Sequence, residues 1–280
     1  MKRIISLLLI TVILTTLTTG CKKKPGEPPV LPPEESITID FSNFESGKKS
    51  ADFTSLPKGV ENSNWEFAAG VASVFRTLIV TTLAVPVAAF KVAIDQTPVY
   101  LEEKMWQWSF NVTVLSVTYK ARLTGQIGAT DVEWKMYITK EGTGGFAEFL
   151  WFSGKSQLDG SSGQWILNHS STYQEPVLQI DWTKSSNSVW TVKYTYIRDK
   201  NDNRVTDPYK TSYVEYGKTS STTYDGYYTI KLYLQVLQAF GNINVEWNTT
   251  SHNGRVKCPE VYGNSNWYCW NSNLVNIVCP

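Results

Sequence analysis

The chain has few of the residues on which most site chemistry depends. Two histidines and four cysteines in 280 residues are too few for a multi-histidine metal centre or a large disulfide scaffold. Charged residues make up 18% and nearly cancel, at +1; this removes the electrostatic footprint of a nucleic-acid binder. There is no Gly-x-Ser-x-Gly elbow and no glycine-rich phosphate loop, so common signatures of acyl transfer and nucleotide binding are missing. Aromatic residues are abundant instead, with 11 Trp, 15 Tyr and 11 Phe. Combined with so little charge, they favour pleated sheet over surface helices.

The N-terminus carries the strongest signal. Lys2 and Arg3 precede an uncharged run, Ile4 to Leu17, which has the length of a secretory h-region and is shorter than the ~20 residues of a spanning helix. Leu17-Thr18-Thr19-Gly20-Cys21 follows. This stretch resembles the lipobox of bacterial lipoprotein precursors, with Thr18 where that family prefers Leu. The resemblance implies cleavage after residue 20, so that 1–20 is a signal peptide. It also implies that Cys21 carries diacylglycerol and an acyl chain such as palmitate, and that Cys21 is the membrane contact. Lys22 stands where the family places Asp for inner-membrane retention, which implies the outer membrane. Residues 21–36 continue with Lys22-Lys23-Lys24 and then Pro25, Pro28, Pro29, Pro32 and Pro33. They read as an extended tether that could hold a domain roughly 45 Å from the bilayer. No hinge-like linker interrupts 37–280, so one β-rich domain is expected there.

In that domain, Ile37 to Phe41 alternates and reads as a first short strand, and residues 45–61 read as loop. Ser63-Asn64-Trp65-Glu66 has capping-box spacing. Trp65, Ala68, Ala72, Phe75, Ile79 and Leu83 then recur at helical steps, up to Pro86, where the helix should kink or end. From Met105 the period changes to two. Its phase slips at Val114 with no turn residue, which predicts a bulge. Further alternating segments bring the count to about nine or ten strands. Their short connectors require antiparallel neighbours, and Asn253-Gly254 and Asp159 to Gly163 mark turns. The expected fold class is α+β and β-dominated. It is a large curled antiparallel sheet, a meander or open half-barrel, packed on one long apolar helix over about residues 64–85. That arrangement is similar to lipoprotein-carrier half-barrels, which hold acyl chains between helix and sheet; the analogy is one of fold alone.

Candidate sites are sparse. Outside the cytoplasm, two of Cys258, Cys269 and Cys279 should pair; Cys269–Cys279 is favoured because it ties down a chain end, and Cys258–Cys269 is the alternative. No metal site is expected. Asp199, Asn201 and Asn203 alternate like calcium ligands, but Arg204 occupies the glycine position of such a loop. His169 has no sequence-visible partner and reads as structural, and no catalytic residue or cofactor is assigned. Glu133, Asp181, Glu215 and Glu246 share one position in look-alike triplets, which marks a solvated face more simply than a glycosidase pair. Trp151, Trp165, Trp267 and Trp270 lie near turns and are candidates for a flat sugar-binding platform. The leading expectation is a non-catalytic envelope lipoprotein that encloses an apolar ligand or lipid. The alternative is an aromatic-platform module for a glycan or a protein, with a glycan-active enzyme ranked last.

Overall fold

The computed structural model describes residues 26–45, 63–184 and 190–280, leaving aside the side chains of residues 80, 81 and 190. The signal peptide, Cys21, Lys22 to Lys24, most of the 45–61 loop and residues 185–189 lie outside the described residues.

Fourteen strands form one antiparallel sheet in strict chain order: β1 (Val99–Tyr100), β2 (Met105–Val114), β3 (Val117–Ile127), β4 (Asp131–Lys140), β5 (Phe146–Gln157), β6 (Ser162–Asn168), β7 (Pro176–Lys184), β8 (Trp190–Tyr196), β9 (Tyr213–Lys218), β10 (Gly226–Leu234), β11 (Ala239–Trp247), β12 (Gly254–Lys257), β13 (Tyr268–Trp270) and β14 (Asn276–Ile277). The sheet is an unclosed meander. The strand count exceeds the expected nine or ten partly because β1, β13 and β14 are only two or three residues long, too short for alternation to register. In such a meander the turns after β2, β4, β6, β8, β10 and β12 gather at one end, here the far end. Those after β1, β3, β5, β7, β9 and β11 gather at the other, here the strap end.

The slip at Val114 is a turn, not a bulge. Val114 pairs with Val117, and Leu115 and Ser116 have φ of 48° and 65°. Both sit in the left-handed region that a two-residue type I′ hairpin demands, without the Asn or Gly that usually advertises it. Bulges occur elsewhere. The β4–β5 register jumps from Met136↔Phe152 to Tyr137↔Leu150, which leaves Trp151 as the extra residue. That insertion explains why Phe149 to Phe152 read as apolar on both faces.

The inner face is built from tryptophan and glycine in alternation. Along one cross-strand row, Trp106, Gly125, Trp134, Gly154 and Trp165 face each other in turn, strand by strand. A second row runs Gly226, Trp247, Gly254 and Trp270. Directly opposed side chains on one face of a sheet lie only ~5 Å apart at Cβ, so two neighbouring indoles could not both lie flat. A glycine gives each indole a place to lie. A methyl on Gly125 would meet the Trp134 ring at 2.6 Å, and one on Gly163 the Trp182 ring at 2.7 Å. Gly163 and Gly254, expected in turns, are therefore strand residues beneath indoles.

Residues 29–45 form a strap across the Trp–Gly rows. No strand forms at Ile37 to Phe41; two 3-10 turns, Glu34–Ser36 and Ser42–Phe44, flank it. Pro29, Pro32, Ile37, Phe41 and Phe44 are buried, so this part of the proline-rich stretch is packed on the sheet. Ser36 Oγ accepts from Trp165 Nε1 (3.2 Å), and the Asp40 carbonyl accepts from the Tyr228 hydroxyl (2.6 Å). Phe44 meets Trp247 edge-on at 5.0 Å.

The helical segment α1 runs Asn64–Ile94 behind the expected capping box, with both reciprocal Ser63–Glu66 bonds present. It is longer than expected and not straight. Its arms, Asn64–Ile79 and Thr82–Ile94, are bent by 67°, and Pro86 lies inside the second arm. No single helix among the described residues is long and apolar enough to cross a membrane. Apolar residues of both arms belong to the same buried cluster as the sheet's inner face, and Phe90 meets Trp165 at 5.5 Å and Phe152 at 6.3 Å. A short second helix, α2 (Pro259–Tyr262), precedes β13.

Candidate functional site on the outer face

The outer face carries a polar trough. Its walls follow from register. Lys155, Gln164, Asp181, Lys193 and Glu215 stand opposite one another across β5, β6, β7, β8 and β9. Two residues away along the strands, Gln157, Ser162, Thr183 and Thr191 contribute to a second row, with Asp131 of β4 at its end. Between the rows, the inward-facing Ser156, Gly163 and Trp182 leave only backbone as floor, because side chains alternate between faces. The result is an open trough of about 610 Å³ across the strands.

Its polar groups orient one another. The Asp181 carboxylate accepts from the amides of Gln164 (2.6 Å) and Gln179 (2.7 Å). With their NH₂ groups so engaged, both amides turn their carbonyl oxygens away as acceptors. Lys155 Nζ pairs with Asp131 at 3.2 Å, and Lys193 Nζ lies 4.0 Å from the centre of the Tyr213 ring. Next to the trough, the Tyr227 ring lies over Gly217 and its hydroxyl reaches Glu215 at 3.5 Å. Sequence reasoning singled out Asp181 and Glu215 but not Lys155, Gln164 or Lys193, since only pairing places them in one line.

Glu133, Asp181, Glu215 and Glu246 all lie on this face, each in contact with a partner. Lys135 bonds Glu133 at 2.8 Å and holds its carboxyl below the usual range. Arg255 pairs with Glu246 at 2.6 Å. Among the described residues, the carboxyl groups displaced from their ordinary values, Glu133, Asp159, Glu175, Asp199, Asp202, Asp225 and Glu260, all move down. A glycosidase general acid needs the opposite displacement.

The four turn-proximal tryptophans do not form one platform. Trp165 and Trp270 are each 1% exposed on the inner face; the strap residue Ser36 holds the first, and the His252 carbonyl accepts from the second at 2.8 Å. The expectation of surface rings fails for these two because the strap, invisible in the strand pattern, roofs that end. Trp151 is a half-buried bulge residue packed on Phe146 and Phe149. Trp267 is half-buried among cations, with Arg255 at 4.3 Å and Lys257 at 4.8 Å from its ring.

Cys269 and Cys279 are bonded to each other, and Cys258 is buried and free. Burial pushes the Cys258 thiol up to about 12, which keeps it unreactive. The weak calcium candidate is engaged internally. Asn201 Oδ1 accepts from the backbone amides of Asn203 (3.0 Å) and Val205 (3.3 Å), and Asp199 pairs with Lys210. No group of three or more metal-ligating side chains occurs among the described residues.

His169 lies in a charged cluster at the far end. It is 3.8 Å from Asp202, and the nearly buried Arg198 bonds both Asp202 (2.6 Å) and Glu175 (3.1 Å). Arg204 also bonds Glu175. These contacts tie the 169–175 loop to residues 198–204. Burial, then the Arg198 cation, holds His169 below its ordinary value, and Arg204 and Arg198 hold Glu175 down.

No protein-family model matches the chain, and neither does any curated protein or solved structure.

Proposed function

We propose that this is a lipid-anchored envelope protein, held through Cys21 and facing the outer membrane, with a non-catalytic binding role. Apolar residues of both arms of α1 share one buried cluster with the sheet's inner face, so this reading places binding on the outer face. The ligand is a hydroxyl-rich glycan lying across the strands in the trough. The observation that carries this reading is the open polar trough, in which the Gln164 acceptor is fixed by Asp181. Sugar hydroxyls supply the matching donors, and Tyr227 offers an apolar ring face beside them. Immobilised glycans probed with the mature protein should retain it. Gln164→Ala should lower that retention at least tenfold with unchanged thermal stability. No retained glycan, or equal retention by the variant, overturns the reading.

A second reading keeps an apolar ligand or lipid between helix and sheet. It draws support from the inner-face donors Trp182 Nε1, Tyr194 OH and Trp247 Nε1, which are buried without a protein partner; an ester or carboxylate oxygen would satisfy such groups. Native mass spectrometry decides it. A bound mass lost on organic extraction supports enclosure, and a clean apo mass leaves the outer-face reading.

A further inference from the structure

We propose that the strap end of the sheet rests on the bilayer that holds the lipid anchor, with Val30, Val99, Leu101 and Leu158 entering its interfacial layer. The proposal rests on lipidation of Cys21.

The first observation is the length of the free tether. Pro29 is buried against the sheet, its Cγ 3.1 Å from where a methyl on Gly125 would lie. Only residues 22–28 separate it from Cys21. In polyproline geometry they reach about 22 Å, half of what a tether ending at residue 36 would allow.

The second observation is where that tether leaves the body. Gly125 lies near the strap-end close of β3, and Val30 Cγ1 is 3.4 Å from where a methyl on Gly160 would lie, in the β5–β6 turn, also at the strap end. Strands β3 and β5, of 11 and 12 residues, extend about 35 Å towards the far end. The tether is too short to let the far end approach the anchoring bilayer while the body stands upright.

The third observation is what surrounds the exit. Val99 is 63% exposed, Val30 58%, Leu158 44% and Leu101 38%. Leu101 closes the β1–β2 turn through its amide to Met105. Tyr100 is opposite Trp106, which is opposite Gly125, so β1 and Pro29 are two strands apart. Around the exit, Glu102, Glu103, Asp131 and Asp159 outnumber Lys104, while Lys184 and Lys218 close β7 and β9 further along the same end. The body at the exit therefore does not draw in anionic lipid by charge, and the contact there is an apolar one with zwitterionic headgroups and the upper acyl chains. Leu115 and Val236 at the far end are still more exposed, at 92% and 74%, but lie beyond the tether's reach.

The test uses the full lipidated chain in phosphatidylcholine vesicles containing brominated acyl chains. An environment-sensitive fluorophore is attached at Leu158→Cys or, separately, at Leu115→Cys; Cys258 is buried and Cys269–Cys279 bonded. The 158 probe should be quenched at least twofold more than the 115 probe. A Val30→Ser, Val99→Ser, Leu101→Ser variant carrying the 158 probe should lose that difference while still pelleting with the vesicles. Equal quenching, or deeper quenching at 115, overturns the docking. The mass of the N-terminal peptide separates the two levels. An unlipidated Cys21 overturns both the anchor and the docking, whereas a lipidated Cys21 with an unquenched 158 probe overturns the docking alone.

Discussion

The two faces of this one sheet share a register and differ in everything else. On the inner face, large and absent side chains alternate, Trp106 with Gly125, Trp134 with Gly154 and on to Trp165. On the outer face, Lys155, Gln164, Asp181, Lys193 and Glu215 form an equally regular line. The inner line works by excluding water, at roughly 25 cal/mol per Å² of apolar surface removed. The outer line works by charge and hydrogen bonding in water, where a pair contributes well under 1 kcal/mol. The same periodicity thus serves stability on one side and leaves the other free for recognition.

The largest effect should come from breaking the inner line. Trp165→Ala removes a ring packed on Phe90 and Phe152 and bonded to Ser36. It should cost about 3–5 kcal/mol, read from the urea midpoint. A loss below 1 kcal/mol would mean that the rows are not the core of stability. Removing the terminal bond with Cys269→Ser and Cys279→Ser should cost about 2–3 kcal/mol, with the loss of order confined to β13, β14 and the start of α1, where Asn64 bonds the Cys269 carbonyl and Asn276.

The far-end cluster should respond to acid. The fold keeps His169 neutral, so its contribution is complete above its unfolded value of 6.5 and fades as pH falls through its lowered folded value. Glu175 and Asp202 are kept ionised. Their contributions are complete above 4.5 and 3.8 and are lost at still lower pH. All three changes loosen the same loops on acidification. Amide protection over 198–212 should fall from pH 6.5 downward while that of β3 to β5 holds; uniform loss across the sheet would defeat the prediction. The smallest effect belongs to the outer line, where Lys193→Ala should change stability by less than about 1 kcal/mol and weaken glycan retention.

The legibility of the fold follows the same division. Long alternating strands such as β2, β4 and β10 were readable because one face is buried and the other is not. The hairpin at Leu115-Ser116 was hidden because neither residue type announces a left-handed turn. Gly163 and Gly254 misled because a strand glycine beneath an indole looks like a turn glycine. The candidate site was readable only in fragments, as two single acids, Asp181 and Glu215, on separate strands.

By itself, the sequence determined the β-dominated antiparallel sheet, the capping box at Ser63 and the favoured Cys269–Cys279 bond. These are local matters of periodicity, spacing and short motifs. Only the tertiary structure decided that residues 29–45 are a strap, that Trp165 and Trp270 are interior, and that Gln164, Asp181 and Lys193 form one line. Each of these depends on which strand lies beside which, and on what covers the sheet. Pairing and packing set both between residues distant in sequence, beyond the reach of any local pattern.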